Sequence, residues 1–264
     1  MVCADQQGPM LQPAQWIITP QPVRQAKLRL FCFPHAGGGI ATFSHWNRYL
    51  PKEVEVCLML LPGRENRFKE SPYTDIHLLL HDLGEVLSDS LNDPFAFYGH
   101  SMGGLISFEL SRYLRRNHRP GPAHLFISSH RAPQLSSRYP PLHKMPPAEF
   151  RETLRLLQGT PNEILGNAEM MDLMYPTLKC DLQLCETYQY SPEPPLPCPI
   201  SAYGGREDPR TSPEDLEEWG IHTYATFALH LLEGGHFFIQ DSKEAFLKIF
   251  HQELTQLLIS GETS

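Results

Sequence analysis

The chain of 264 residues is long for one average domain, yet ordinary for a single α/β domain that carries an insertion. Its formal net charge of −8 argues against nucleic acid or an anionic membrane as the main partner, because both demand a basic face. No apolar run approaches the length of a transmembrane helix, and Met1 to Met10 has neither the basic start nor the apolar middle of a signal peptide, so a cytosolic protein is expected.

Residues 1–26 are rich in Gln and Pro without sustained periodicity and read as a loose N-terminal arm, tethered through Trp16-Ile17-Ile18. Residues 27–264 read as one domain. Leu28 to Phe33 is a short strand that stops at Pro34-His35-Ala36-Gly37-Gly38-Gly39. A glycine loop after a strand suits phosphate binding or the donation of amides to an oxyanion; the Gly-Lys-Ser/Thr ending of a P-loop is missing, which favours the second use. An amphipathic helix near Thr42 to Leu50 and a strand at Val54 to Leu61 follow. The next turn, Pro62-Gly63-Arg64-Glu65, reads as holding a structural ion pair. Ile76, Leu79, Leu80, Leu83 and Leu87 then mark one helix face.

The apolar run Phe95 to Tyr98 leads straight into Gly99-His100-Ser101-Met102-Gly103-Gly104, the pattern of a serine held on a strained strand-to-helix turn. Glycines on both sides let neighbouring backbone approach. Leu105, Ile106, Phe108, Leu110 and Leu114 supply the helix face behind it, and the amides that open this helix carry positive partial charge. A dinucleotide fingerprint would need glycine where Ser101 stands. His100 points elsewhere than Ser101 and reads as structural.

Another strand, Leu125 to Ser129, ends without a carboxylate. The stretch to the next strand, near Pro199 to Tyr203, far exceeds the dozen or so residues that a parallel crossover needs. The surplus, about 134–197, reads as a helical lid between proline clusters: Phe150, Leu154 and Leu157 share one face, and a Met-rich run precedes Leu178, Leu182 and Cys185. Met and Leu there suit either a channel for an aliphatic chain or packing of the lid on itself. After Tyr203 comes Asp208, preferred to Glu207 as a carboxylate because of its turn position beside Pro209. Ala228 to Leu232 leads to Gly234-Gly235-His236, and Phe246, Phe250, Leu254 and Leu257 mark a last amphipathic helix.

A serine hydroxyl needs a base within reach and an acid to fix that base's tautomer, and His236 and Asp208 supply them. The chain order Ser, Asp, His is the one used by α/β-hydrolases, so the expected fold is a mostly parallel sheet flanked by helices, with a helical lid insertion. In that fold one oxyanion donor follows the nucleophile and the other lies on the loop after an early strand, which places them at Met102 and Ala36. Cys3, Cys32, Cys57, Cys180, Cys185 and Cys198 form no CxxC pair and read as small hydrophobes of a reducing compartment. His77 and His81 lack a glutamate in the HExxH position and a third ligand, so no metal is expected, and no cofactor is needed.

The motifs Phe31 to Gly38, Leu61-Pro62-Gly63-Arg64-Glu65, Gly99 to Gly104, Ala132-Pro133, Asp208-Pro209 followed by Trp219, and Gly234 to Phe238 resemble, in that order, the type II thioesterases of polyketide and nonribosomal peptide synthases. They also resemble the animal thioesterase that releases medium-chain fatty acids. The resemblance implies hydrolysis of an acyl thioester on the phosphopantetheine arm of an acyl or peptidyl carrier protein by Ser101, Asp208 and His236. Carrier proteins are usually acidic, so a local basic patch is expected on this monomer. Arg112, Arg115, Arg116 and Arg119 end the helix that Ser101 begins, about 25 Å away at 1.5 Å per residue, and read as solvated charges. Arg131, Arg138 and Lys144 follow a strand's carboxyl end and read as the docking rim. The rival readings are a carboxylesterase with the same three residues and a catalytically silent hydrolase fold that binds a synthase.

Overall fold

The computed structural model describes residues 12–156 and 166–261. Residues 1–11 of the arm, with Cys3 among them, and Leu157 lie outside them. The arm's last part is more ordered than its composition suggests: a single helical turn, α1 (Pro13–Trp16), leads into a short strand, β1 (Ile17–Ile18), and Trp16 is buried. Arg67 lies 4.1 Å over the Trp16 ring, a cation–π contact that fixes this tether.

The β2 strand (Leu28–Phe33) and the β3 strand (Val54–Met59) are joined by two 3-10 turns, Ile40–Phe43 and Trp46–Arg48, where an amphipathic helix was expected. His45, at φ 68°, breaks the helical run between them. The helix α2 (Ile76–Leu87), capped by the Asp75 carboxylate on the His77 N–H, leads to β4 (Phe95–His100), α3 (Met102–Arg116) and β5 (His124–Ser128). The stretch before the next strand carries α4 (Pro147–Leu156) and α5 (Ala168–Glu186). Then come β6 (Ile200–Gly205), α6 (Pro213–Glu217), β7 (Phe227–Leu232), α7 (Phe238–Asp241) and α8 (Lys243–Gly261).

The strands form one seven-stranded sheet in the order β1-β3-β2-β4-β5-β6-β7, parallel throughout except for β1 against β3. Alternation along the central strands feeds two cores. Phe31, Phe33, Phe95 and Phe97 pack with α2 and α3 on one face. Leu30, Cys32, Ala96 and Tyr98 pack with Trp46 and with Phe246 and Phe250 of α8 on the other. From β2 the chain goes first to one side, to β3, and then to the other, to β4. The order therefore reverses at β2 and β4, and a crevice opens at their carboxyl ends. The loop after β2 and the serine turn after β4 both sit there.

The insertion has its own small core of Leu142, Phe150, Leu154, Met171, Leu178 and Leu182, so these residues pack the insertion on itself. Leu142 and Leu182 also face the cavity described below. The arginines that close α3 are ion-paired rather than free in solvent, although Arg116 stays exposed. Arg112 is buried and reaches Glu109 at 2.5 Å and Glu193 at 2.9 Å, while Arg115 and Arg116 also pair with Glu193 and Arg119 pairs with Glu85. Arg112, Arg115 and Arg116 fasten α3 to the proline-rich return from the insertion, and Arg119 fastens it to α2. Glu193 and Glu85 lie far along the chain, beyond the reach of a local reading, whereas Glu109 is only three residues from Arg112.

Candidate active site

Ser101 occupies φ 53°, ψ −115°, outside the regions that an L-residue favours, and the fold holds it there from both sides. Its N–H donates to the Ser128 carbonyl at 2.8 Å, and its own carbonyl accepts the Gly104 N–H at 2.8 Å. A Cβ at Gly99 would overlap the Gly103 carbonyl, and one at Gly103 would overlap the carbonyl of Phe33 at the end of β2. The flanking glycines thus allow α3 to start directly against the two central strands.

His236 arrives on the loop after β7. Gly234 (φ 104°) makes the turn, and Ser129 Oγ donates to the His236 carbonyl at 2.9 Å. Asp208 sits on the loop after β6, and the two loops meet backbone to backbone: a Cβ at Gly205 would overlap the carbonyls of Gly234 and Gly235, and the Glu207 N–H donates to the Gly234 carbonyl at 3.0 Å. The result is a continuous series. Ser101 Oγ lies 3.0 Å from His236 Nε2, and His236 Nδ1 lies 2.9 Å from Asp208 Oδ2. Asp208 Oδ1 accepts the Arg210 N–H at 2.8 Å. Glu207, the reserve candidate, points to solvent. The spacing suits proton transfer from the serine to an imidazole whose tautomer the carboxylate fixes.

The series opens on a cavity of about 420 Å³, whose walls include Ala36, Met102, Arg131, Leu142, Leu182 and Arg210. Among the described residues, no hydrogen-bond partner engages the backbone N–H of Ala36 or of Met102. Two unpaired amides beside the serine are what an incipient oxyanion requires. Buried imidazoles back the site: His35 and His100 ring centroids are 5.9 Å apart, and His100 and His236 are 5.6 Å apart. Burial, aided by the neighbouring His236 and Arg64, pushes His35 down to about 3, and burial likewise holds His100 well below the usual imidazole range. His100 Nδ1 lies 2.7 Å from Ser128 Oγ, a structural role for the residue beside the serine.

The three rim candidates separate. Arg131 lines the cavity and donates to the Ser136 carbonyl at 2.9 Å. Arg138 pairs with Asp215 at 2.5 Å, and Lys144 is exposed on the 3-10 turn Leu142–Lys144. Arg210, which the sequence reading passed over, joins Arg131 on the cavity wall; its place two residues beyond Asp208 was the available signal. Arg64 does form an ion pair, but with Asp181 at 2.8 Å rather than with Glu65, which instead accepts the Ile40 N–H at 2.8 Å.

Residues 28–254 match the family model described as a thioesterase domain. The chain belongs to that thioesterase family. This thioesterase is 41% identical over 252 residues to a protein of Brevibacillus parabrevis named linear gramicidin dehydrogenase LgrE, covering 94% of this chain and 96% of that one. It is also 41% identical over 247 residues to the gramicidin S biosynthesis protein GrsT of Aneurinibacillus migulanus, with the same coverage of 94% and 96%. The word dehydrogenase belongs to the first relative's name; the matching family model is one of thioesterases. Among solved structures, the RedJ thioesterase of the prodiginine pathway in Streptomyces coelicolor superposes with a TM-score of 0.81 at 36% identity, over 89% of this chain and 92% of that one. The fold is that of the α/β-hydrolases, and the protein is a thioester hydrolase.

Proposed function

We propose that this thioesterase removes acyl groups from the phosphopantetheine arm of acyl or peptidyl carrier proteins, as an editing or releasing enzyme, with Ser101 as nucleophile. The observation that carries the reading is the hydrogen-bonded series Ser101, His236, Asp208 at the floor of a cavity, in a chain of the thioesterase family. His236 takes the Ser101 proton through Nε2 as Oγ attacks the thioester carbonyl. The amides of Ala36 and Met102 receive the oxyanion, a contribution of about 3 kcal/mol per donor. The pantetheine thiol leaves with a proton from His236, water activated by the same imidazole opens the acyl-enzyme, and Asp208 stays ionised and orients the ring. Leu142 and Leu182 offer apolar wall to the acyl chain. In this reading 27–264 is one hydrolase domain and the insertion, about 134–197, is its lid. The buried or half-buried free thiols of Cys32, Cys57, Cys180, Cys185 and Cys198 fit a cytosolic monomer that meets a separate carrier.

Arg131, Arg138 and Lys144, joined by Arg210, are the proposed docking rim for an acidic carrier. Charge reversal there raises KM for acyl-carrier substrates and spares small soluble thioesters; equal effects on both would refute the rim. The decisive measurement of function is deacylation of a loaded carrier protein beside the same acyl chains as simple oxygen esters, with wild type and Ser101→Ala. Fast, Ser101-dependent carrier deacylation with slow ester cleavage is expected. Preference for free esters would make the enzyme a carboxylesterase, and failure of a fluorophosphonate to label Ser101 would leave only a silent binding module.

A further inference from the structure

Asp181 belongs to α5 in the insertion, yet both of its carboxylate oxygens are committed to the core of the site. Oδ2 accepts the Gly37 N–H at 2.7 Å, and Oδ1 accepts Arg64 Nη2 at 2.8 Å. Arg64 in turn donates Nη1 to the Gly38 carbonyl at 2.7 Å and Nε to the Pro62 carbonyl at 3.3 Å. Both side chains of the pair are buried, at 6% and 4% exposure. One helical turn earlier, Thr177 Oγ1 donates to the Gly63 carbonyl at 2.7 Å, so α5 rests on the same turn by a bond that does not touch the glycine loop.

The loop that these groups hold is the one that carries Ala36. Gly37 (φ 73°), Gly38 and Gly39 give it backbone freedom that the sheet does not remove, because the loop begins where β2 ends. The peptide linking Ala36 to Gly37 is fixed through its N–H by Asp181, and the Gly38 carbonyl is fixed by Arg64. Ala36 N–H lies one peptide away. A buried ion pair is weak evidence of stabilisation, since apolar residues of similar volume often serve as well or better. This pair instead joins the insertion to the backbone beside one oxyanion amide.

We propose that Asp181 is a positioning residue: by tying α5 to the Gly37 amide and, through Arg64, to the Gly38 carbonyl, it aims the Ala36 N–H at the oxyanion and makes turnover depend on this one contact of the insertion. The inference rests on the reading of Ala36 as an oxyanion donor. Its consequence is a division of labour. The Met102 donor is set by the sheet and α3, whereas the Ala36 donor is set by the insertion, so an acyl chain that packs against Leu182 on the same helix reports its presence to the reacting carbonyl.

The test compares steady-state kcat and KM on one soluble acyl thioester for four variants, with thermal unfolding of each. Asp181→Asn keeps the side-chain volume but cannot accept from both Gly37 and Arg64; kcat is expected to fall about tenfold or more while KM moves less than about threefold, the signature of an interaction realised in the transition state. Arg64→Met with Asp181→Leu removes the charge pair as a whole; its midpoint is expected to fall modestly, because the Gly37 N–H and the Gly38 carbonyl lose their partners, with the same loss of kcat. Thr177→Val loosens the helix contact alone and is expected to keep wild-type kcat. Wild-type kcat in the double variant, or a loss in Thr177→Val equal to that in Asp181→Asn, would overturn the inference; if the double variant does not fold, Asp181→Asn decides on its own. Replacing the Ala36 amide by a backbone ester separates the two levels. An ester variant with full kcat would sink the reading of the Ala36 donor, whereas a loss of about a hundredfold there, beside full kcat in the Asp181 variants, would sink the positioning role alone.

Discussion

Arg112→Ala removes the cation from a buried network, and the structure sets the size of the effect. Arg112 and Glu109 have side-chain exposures of 3% and 5%, and Arg112 also donates to the Ser191 carbonyl and lies 5.3 Å over the rings of Phe108 and Tyr190. Glu193 keeps Arg115 and Arg116 as partners, so its loss is small. Glu109 keeps only the Tyr188 hydroxyl at 2.7 Å, which leaves a buried carboxylate without a counter-ion. Breaking a buried pair in this way costs about 3–5 kcal/mol. At about 2–4 °C per kcal/mol for a chain of this size, the midpoint should drop by roughly 6–20 °C. Urea unfolding of wild type, Arg112→Ala and Arg112→Ala with Glu109→Gln is the assay. The second change removes the stranded charge and should recover more than half of the loss. Tyr188 and Tyr190 line the cavity, so KM should rise in the single variant as well. A destabilisation below about 1 kcal/mol, or no recovery in the double variant, would refute the network as the fastening between α3 and the return from the insertion.

Ser101→Gly and Ser101→Ala should both abolish turnover, but the glycine variant should be the more stable by about 1 kcal/mol, because alanine keeps the strain at φ 53°, ψ −115° and glycine does not; denaturant titration of the two gives the order. Gly103→Ala drives a Cβ into the Phe33 carbonyl and should cost more than about 3 kcal/mol or give insoluble protein, read from soluble yield and urea midpoint. Acid should unfold the protein early. His35 and His130, each held neutral by burial down to about 3, bind fewer protons folded than unfolded between pH 3 and the ordinary value of 6.5. Stability therefore falls as pH drops through that window, by about 1.4 kcal/mol per pH unit for each fully suppressed imidazole. His35→Phe should flatten the slope of stability against pH near pH 5 by about one such increment, and an unchanged slope would refute the assignment.

What was legible in the sequence is what is local. The strands ending at Phe33, His100 and Gly205 show as apolar runs that stop at glycine motifs, and those stops are where Ala36, Ser101 and Asp208 sit. His236 stood out among the histidines for the same reason. The helix expected near Thr42 to Leu50 became two 3-10 turns because one left-handed residue, His45, interrupts a correct apolar pattern. The distant partners of Arg112 and Arg64 were not legible. Glu193 and Asp181 lie far along the chain, and a charge with a distant partner reads in sequence like one in water.

The same distinction bears on how the site is built. Ser101, His236 and Asp208 are fixed by backbone meeting backbone, Gly99 against Gly103 and Gly205 against the Gly234-Gly235 turn, at the carboxyl end of a sheet whose central strands are buried on both faces. These contacts fail only when the sheet fails. The loop after β2 has no such backbone partner on its open side; side chains hold it, Asp181 of α5 with its ion-pair partner Arg64, and Glu65 on the Ile40 N–H. Among the described residues the insertion's core holds six buried hydrophobic residues, fewer than either core of the sheet, and elements with few buried apolar contacts open at lower free energy than the body to which they attach. The positions of Ser101, His236 and the Met102 amide therefore follow from the whole fold, whereas that of the Ala36 amide also follows from side chains of α5 and of the turn after β3. If Asp181 positions the Ala36 amide as proposed, the nucleophile would be poised by the whole fold while full stabilisation of the oxyanion would depend on the α5 contact.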